Sequence, residues 1–330
     1  MKSAKINLAL QGGGAHGAFT WGVLDRLLDE SWLSFDGVSG TSAGAMNAVM
    51  FAEGWRKDSA AGAKAQLSAF WEAVGSEGLG FELPQHIEQT VTKWWLTMFQ
   101  HLSPYDVNIL DINPLRDIVN EQVDFIALQQ AKPFALFIAA TAVDTGKLRL
   151  FREHELTTDH VLASACLPNI HKAIEINDTH YWDGGFAGNP AVFPLIYEHD
   201  TEDTLIVLLQ PLSRESLPTT SSAISERISE LTFQSNFMRE MRAIANMKTL
   251  TNRPSLFLGK AQRKIKRARF HMVTNQTFMS LLDNASKYNN RMRFLESLRN
   301  AGSEAAERWL NEHADAIGKR DSCDIHALFE

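Results

Sequence analysis

The sequence predicts an α/β fold with a mostly parallel central sheet and a helical C-terminal part. In residues 8–17 an apolar strand runs into a glycine-rich turn and then into an amphipathic helix. In residues 35–51 a second short strand runs through a G-x-S-x-G turn into an apolar helix. Two strands joined by a helix pair in parallel. In residues 222–250 and 277–313, charged residues interleave with apolar ones at helical spacing, which predicts the helical C-terminal part.

The serine of the second turn is the strongest functional signal. Residues 37–44 read Gly-Val-Ser-Gly-Thr-Ser-Ala-Gly, with Ser42 between Gly40 and Gly44. A serine hydroxyl is a poor nucleophile, so a hydrolase holds it on a sharp strand-to-helix turn, and small neighbours such as Ala43 allow that turn to form. Ser42 is therefore a candidate nucleophile.

The first turn reads Gly12-Gly13-Gly14-Ala-His16-Gly17 and opens the amphipathic helix. A helix start carries unpaired N–H groups and partial positive charge, so this turn suits an anion. One candidate anion is the oxyanion of a tetrahedral intermediate, because parallel pairing of the two strands places the glycine turn beside the serine turn.

The other candidate anion is a pyrophosphate. The spacing Gly12-x-Gly14-x-x-Gly17 matches the dinucleotide fingerprint. That fingerprint requires an acidic residue at the end of the second strand, and Asp36 instead precedes an apolar step as the strand continues toward Ser42. The context disfavours a nucleotide site.

A third motif, Asp183-Gly184-Gly185, offers a carboxylate base. In an α/β-hydrolase the base is a histidine near the C-terminus and the nucleophile follows several strands. Only 41 residues precede Ser42, enough for strand, helix and strand. The α/β-hydrolase topology is therefore disfavoured.

The glycine loop, the G-T-S-A-G turn and the D-G-G motif, in this order and spacing, resemble the patatin-like phospholipase family. Residues 139–146, 163–168 and 183–190 support the likeness, which runs from Lys5 to Pro211. The resemblance implies a three-layer α/β/α fold with a mostly parallel central sheet and a helical C-terminal cap. It also implies a serine–aspartate dyad that acts without cofactor or metal.

The resemblance assigns each site residue a role. Ser42 is the expected nucleophile, Asp183 the expected base, and Gly12, Gly13 and Gly14 the expected oxyanion hole. The residues expected to support these motifs are His16, Gly17, Gly40, Ala43, Gly44, Gly184 and Gly185. Family members usually have arginine or lysine in place of His16, so here a charge that titrates replaces a permanent one. We interpret His16 as a structural hydrogen-bonding residue, with a direct catalytic role as the alternative.

Composition and charge limit the class of protein. The chain has 330 residues, of which 45% are hydrophobic and 22% charged, and its net charge is −7, which disfavours nucleic acid as a partner. Two cysteines are too few for a disulfide framework, and the histidines lack metal-ligand spacing. No secretory segment precedes the first strand and no run of about 18 apolar residues occurs. We expect a cytoplasmic protein that can make transient peripheral contact with the inner membrane surface.

Two further segments have open interpretations. The basic residues Lys260, Arg263, Lys264, Lys266, Arg267 and Arg269 form either a solvated, salt-bridged segment or a patch for anionic headgroups. Residues 91–102, rich in tryptophan and other large apolar residues, form either core or a lid. The stretch 213–222, rich in Ser, Thr and Pro, suggests a boundary between a catalytic core, 1–211, and a helical subdomain docked on it, 212–330.

The sequence therefore predicts a lipid acyl hydrolase of phospholipase A or lysophospholipase type, which cleaves phospholipid or another fatty acyl ester through an acyl-Ser42 intermediate. Three alternatives remain open. The same dyad could hydrolyse soluble esters, thioesters or hydroxyalkanoate oligomers. The chain could instead be a nucleotide-binding module or a catalytically silent lipid-binding regulator.

Overall fold

A computed structural model describes residues 3–76, 103–107, 113–214, 217–252 and 258–330. Its centre is a single eight-stranded sheet in the order β5-β6-β3-β2-β1-β7-β8, with β4 paired to β3 off this path. The strands are β1 (Ala4–Leu10), β2 (Leu33–Thr41), β3 (Ala135–Ala142), β4 (Leu148–Arg152), β5 (Ile174–Ile176), β6 (Thr179–Asp183), β7 (Asp203–Val207) and β8 (Arg269–Val273).

Five strands form the parallel part of the sheet. Strand β1 pairs in parallel with both β2 and β7, β2 pairs with β3, and β7 pairs with β8. The antiparallel partners of β3 are β4 and β6, so the expected strand and hairpin at residues 139–146 are present. Parallel strands are buried on both faces because helices cover both sides of the sheet. The predicted mostly parallel sheet is confirmed.

Helices lie on both faces of the sheet. They are α1 (Gly17–Leu27), α2 (Ala43–Ser76), α3 (Pro104–Val107), α4 (Pro114–Gln122), α5 (Phe125–Ala131), α6 (Thr158–Ser164), α7 (Phe193–Tyr197), α8 (Ser221–Asn252), α9 (Lys260–Arg267), α10 (Gln276–Ser280), α11 (Met292–His313) and α12 (Ile325–Phe329). Helix α2 is kinked where Ser59 has a φ of 44°.

Two apolar clusters show how these layers are divided. Leu8 of β1 belongs to a cluster shared with α1, α2 and α11, whereas its neighbour Ala9 belongs to a cluster shared with α7, α8 and α12. Successive residues of a strand point to opposite faces of the sheet, so the two clusters are the two interlayer cores. The three-layer α/β/α arrangement implied by the resemblance is confirmed.

The predicted inner face of α1 is also buried. It comprises Phe19, Val23, Leu24, Leu27 and Leu28. Helix α1 packs closely on α11. A Cβ atom placed on Gly302 would come only 2.0 Å from the carbonyl oxygen of Phe19. Glycine is therefore required there, and it lets a C-terminal helix cover the helix that follows the glycine turn.

The C-terminal part departs from its helical pattern in two places. Strand β8 extends the sheet beyond β7, with Phe270 and His271 both fully buried. The basic residues around this short apolar strand dominate its sequence pattern and hide it. The helical pattern of 277–313 is divided into α10, a short 3-10 turn at Asn284–Tyr288 and α11, because the side chain of Asp283 caps the turn by accepting the N–H of Ser286.

The helices and strands described above do not test two of the sequence predictions. Residues 91–102 lie outside the described residues, so their role as lid or core stays a prediction. The boundary between 1–211 and 212–330 also stays a prediction. Of the helices that the structure describes, none combines the length and apolarity that a membrane span requires.

Candidate active site

Ser42 lies on the turn between β2 and α2. It is the one residue between the last strand residue and the first helical residue, and its φ of 55° lies in the left-handed region. A serine in this region costs of order 1 kcal/mol or more, which the surroundings must offset. Its N–H donates to Ser164 Oγ at 2.9 Å, and the hydroxyl of Thr41 donates to the carbonyl oxygen of Gly188 at 2.7 Å. The turn therefore has the strained, anchored geometry that exposes a nucleophile.

Close backbone packing explains the small residues around Ser42. A Cβ atom on Gly44 would come 2.1 Å from the carbonyl oxygen of Leu10, so α2 starts directly against the end of β1. On Gly40 a Cβ atom would come 2.5 Å from the carbonyl oxygen of Gly44, and on Gly17 it would come 2.6 Å from Ala43 Cβ. These contacts bring the two turns together as the sequence predicts.

The glycine loop lies beside Ser42. A Cβ atom on Gly12 would come 2.7 Å from Ser42 Cβ. The N–H of Gly12 is already used, because it donates to Asn189 Oδ1 at 2.7 Å in a buried hydrogen bond. Within the described ranges, the N–H groups of Gly13 and Gly14 have no acceptor. These two groups are thus the donors still available to an anion in front of Ser42.

Gln11 anchors the same loop to the segment that follows β7, the strand paired with β1. Its Oε1 accepts the N–H groups of Leu209 and Gln210 at 2.7 and 2.9 Å, and its Nε2 donates to the carbonyl oxygen of Asn189 at 3.4 Å. Buried side-chain hydrogen bonds of this kind fix the loop before any ligand arrives.

Asp183 is the last residue of β6 and is 1% exposed. Its Oδ1 accepts the N–H of Gly185 at 2.7 Å, and its own N–H donates to the carbonyl oxygen of Cys166 at 2.8 Å. Its Oδ2 is buried and has no hydrogen-bond partner in the part of the chain that the structure describes. The Ser42 hydroxyl lies close enough to favour the ionised carboxylate, but not in regular hydrogen-bond geometry. Catalytic hydrogen bonds are often long before substrate binds.

Burial changes the basicity of Asp183. Removal from water raises the pKa of its carboxyl from 3.8 to about 7, against the smaller opposing effects of Gly185, Ser42 and Lys287. An aspartate that would be a weak base in water thus becomes one that can accept a proton near neutral pH. Next to it, Gly184 packs against the carbonyl oxygen of Ala139, which leaves no room for a side chain.

The buried side chain of His16 contacts the C-terminal part of the chain. Its Nε2 lies 2.8 Å from Ser286 Oγ, and its ring meets Phe294 edge-on. Burial lowers the pKa of His16 from 6.5 to about 3, so the imidazole is neutral at neutral pH. This geometry fits the structural interpretation of His16.

Four residues of this site received no role from the sequence. Asn189 and Ser164 lie in the motif-bearing stretches 183–190 and 163–168, but nothing in their spacing shows which N–H groups they accept. Ser286 and Lys287 come from the C-terminal part and carry no local signal. Only the fold brings them to the glycine loop.

The nucleotide alternative loses support from the contacts of Asp36 and Gly12. Asp36, the candidate ribose ligand of a nucleotide site, forms an ion pair with Lys5 at 2.8 Å and accepts the hydroxyl of Thr201 at 2.7 Å. The N–H of Gly12 is not available to a phosphate, because it already donates to Asn189. Within the described ranges, no group of three or more His, Cys, Asp or Glu side chains could hold a metal ion.

The site lies inside a recognised sequence family. The family model described as patatin-like phospholipase matches residues 8–196, which is more than half of the chain. The matched range contains the glycine loop, the G-T-S-A-G turn and the D-G-G motif. Among curated proteins, none matches the sequence. Among solved structures, the chain is similar to VipD from Legionella pneumophila, with 13% identity, a TM-score of 0.43, and coverage of 93% of this chain and 67% of that one.

Proposed function

The chain belongs to the patatin-like phospholipase family, and we propose that it is a serine lipid acyl hydrolase in which Ser42 and Asp183 form the catalytic dyad. The observation that carries the proposal is the buried, partnerless Oδ2 of Asp183 beside the strained Ser42 turn. An unpartnered buried carboxylate oxygen is costly and is retained where chemistry uses it.

In the proposed first step, Asp183 Oδ2 accepts the proton of Ser42 as Ser42 Oγ attacks the acyl carbonyl carbon. The electron pair of the carbonyl bond moves to its oxygen, and the N–H groups of Gly13 and Gly14 stabilise the resulting oxyanion. Gly12 holds the loop through Asn189 and donates nothing to the oxyanion. The oxyanion hole of the proposal therefore has two glycine donors rather than three.

The intermediate then collapses. The ester C–O bond breaks, the leaving alcohol takes the proton held by Asp183, and the acyl group stays on Ser42. Water attacks this acyl-Ser42 as Asp183 accepts its proton, and that proton returns to Ser42 Oγ as the fatty acid leaves. A pKa near 7 suits both directions of transfer, because the carboxyl is neither too acidic to accept a proton nor too basic to return it.

Fluorophosphonate labelling tests the proposal. We expect the probe to attach to Ser42, identified by peptide mass spectrometry, and Ser42→Ala to abolish labelling. Ser164→Ala is the matched control, because its hydroxyl lies 2.9 Å from the Ser42 nitrogen but has no role as nucleophile. That variant should still label on Ser42.

Absence of labelling in the folded wild-type protein, or labelling of Ser164, would contradict the dyad. A series of phospholipid, lysophospholipid and short-chain ester substrates then separates lipid hydrolysis from the hydrolysis of soluble esters or thioesters. Faster turnover of fatty acyl esters than of acetyl and butyryl esters is the expected result, and the reverse order would assign a soluble ester as substrate. The expected location, cytoplasmic with transient contact at the inner membrane surface, remains part of the proposal.

A further inference from the structure

The glycine loop has no cation in its own segment. His16 stands where members of the family usually have a permanent positive charge, and burial keeps it neutral at neutral pH. Its ring is held by Ser286 and Phe294. A site that needs an ionised carboxylate and then develops an oxyanion gains from a nearby cation.

A lysine from the C-terminal part lies at this loop. A Cβ atom on Gly14 would come 2.4 Å from the carbonyl oxygen of Lys287 and 3.4 Å from Lys287 Cβ, so the backbone of Lys287 packs directly on the loop. Gly14 also has a φ of 59°, which an L side chain rarely adopts. The contact of Ser286 with His16 holds the same segment from the other side.

The short turn that carries Lys287 is itself fixed. Asp283 Oδ1 accepts the N–H of Ser286 at 2.9 Å, and Asn284 Nδ2 donates to the carbonyl oxygen of Glu226 on α8 at 3.1 Å. The turn Asn284–Tyr288 is therefore attached both to the glycine loop and to α8. The backbone of Lys287 cannot move far from the glycine loop without breaking these contacts.

The charges around Lys287 leave its ammonium available. Glu230, which lies close by on α8, accepts hydrogen bonds from Arg214 at 2.5 Å and from Arg227 at 3.0 Å, so its charge is already balanced. Within the described ranges, Lys287 forms no ion pair within 4.0 Å. The groups that face it are His16 on the glycine loop, Asp183 on β6, Glu226 and Glu230 on α8, Arg214 before α8, and Asp283 and Tyr288 on its own turn.

We propose that Lys287 supplies the positive charge of this active site from the C-terminal part of the chain and thereby favours the ionised form of Asp183. The inference rests on the proposed dyad. Lys287 is a positioning residue, since it acts through Asp183 rather than on the substrate. The neutral His16 contacts Ser286 and Phe294, and the charge comes from the segment that packs on the glycine loop.

The sign of the effect follows from the charges. A cation favours the carboxylate form, and Lys287 lowers the pKa of Asp183 against the larger effect of burial. Removal of the cation raises that pKa further. Asp183 must be ionised to accept the Ser42 proton, so the acid limb of the activity profile moves to higher pH. At alkaline pH the lysine itself loses its proton, which happens below its ordinary range because burial lowers the pKa of Lys287.

The test compares Lys287→Met and Lys287→Gln with Lys287→Arg and with Lys319→Met, a control at an exposed lysine. The measured quantity is kcat/KM for a neutral short-chain ester as a function of pH. We expect the acid limb of both uncharged variants to move measurably to higher pH, because a nearby opposite charge favours the ionised carboxylate. Lys287→Arg and Lys319→Met should keep the wild-type limb. An unchanged limb in a folded uncharged variant would overturn the proposal.

A second readout separates this proposal from the dyad itself. Carbon NMR of the Asp183 carboxyl reports its titration whether or not the protein hydrolyses an ester. A raised pKa of Asp183 in Lys287→Met supports the electrostatic role even if Ser42 proves unreactive, and an unchanged pKa refutes it. A higher KM for anionic phospholipid alone, with the limb unmoved, would assign Lys287 to headgroup binding and would likewise refute it.

Discussion

Asn189 and Gly12 form a buried hydrogen bond, 2.7 Å long, between residues 177 positions apart in the chain. It joins the segment that follows Asp183, the last residue of β6, to the loop after β1, which packs on Ser42. The proposed base and the proposed oxyanion donors are therefore mechanically linked. The N–H of Gly12 fixes the position of the loop through this hydrogen bond. The N–H groups of Gly13 and Gly14 have no acceptor within the described residues and are the proposed oxyanion donors.

Substitution of Asn189 should test this link. In Asn189→Leu the buried N–H of Gly12 loses its acceptor, which costs about 1–3 kcal/mol in the free energy of unfolding. The loop also loosens, so kcat should fall more than KM rises. Thermal melting and steady-state kinetics measure the two effects. Asn189→Asp, which keeps an acceptor oxygen, should lose less stability than Asn189→Leu, and equal losses would argue against the hydrogen bond as the cause.

The dyad predicts a non-additive double mutant. Ser42→Ala and Asp183→Asn should each lower kcat by several powers of ten, because each removes one half of a single proton transfer. The double mutant should be little worse than either single one. Single-turnover hydrolysis of an activated ester provides the rates, and multiplicative losses would refute the pairing of these two residues.

Stability should fall as pH rises through the pKa values of two buried carboxyls. Burial raises the pKa of Asp183 and that of Glu240 to about 7, even though Glu240 accepts the N–H groups of Val192 and Phe193. Both carboxyls bind protons more tightly in the folded state, so their favourable contribution is complete below pH 4 and is lost by about pH 7.

Asp183→Asn should therefore be more stable than wild type above neutral pH, by a few kcal/mol at most. The difference should shrink as pH falls toward the ordinary pKa of an aspartate. Glu240→Gln should behave in the same way because it keeps an acceptor for the helix start. Chemical denaturation at several pH values measures both, and a constant difference across pH would contradict the assigned pKa shift.

Chelation should leave hydrolysis intact. The proposed oxyanion is stabilised by backbone N–H groups and the proposed base is a carboxylate, so no step requires a cation from solution. Activity on a neutral ester should be equal with and without excess EDTA. Reversible loss that one particular divalent metal restores would contradict the mechanism.

The basic segment divides into two groups with different expected behaviour. Arg269 makes short ion pairs with Asp203 and Glu202, and Lys264 contacts Asp200 and two backbone carbonyls, so both are structural. Lys260, Arg263, Lys266 and Arg267 are exposed on α9. Of these four, Arg267 makes a long ion pair with Glu202 at 3.9 Å, and the exposed group is the part of the segment that can meet anionic headgroups.

Charge reversal should separate the two groups. Lys266→Glu with Arg267→Glu should weaken sedimentation with anionic vesicles at low salt, and the effect should fade at physiological salt, where screening acts over about 8 Å. Arg308→Glu with Lys319→Glu is the control with equal charge change at exposed sites elsewhere. If the two double variants bind anionic vesicles equally, α9 is a solvated, salt-bridged helix with no part in headgroup binding. Arg269→Glu should instead lower stability, because it leaves Asp203 beside a like charge.

The sequence alone predicted the serine turn, the glycine loop and their proximity. These features are local: a residue such as Ser42 in the left-handed region needs small neighbours, and two strands joined by one helix pair in parallel. Gly40 and Gly44 are close-packed because the sharp serine turn needs small neighbours, as the G-x-S-x-G spacing predicts. The α/β class followed from the same periodicities, whereas the three-layer order was implied by the family resemblance. Strand β8 was missed because a five-residue strand among basic residues has no pattern of its own.

Only the tertiary structure decided the protonation states of the site residues and which backbone N–H groups of the glycine loop have no acceptor. The basicity of Asp183 depends on its removal from water by several segments, and the availability of Gly13 and Gly14 depends on Asn189 having taken Gly12. The cation that we propose for this site, Lys287, comes from the C-terminal part of the chain and packs on Gly14. Local geometry is set by neighbours in sequence, whereas desolvation and hydrogen-bond choice are set by neighbours in space, and these are fixed only when the chain has folded.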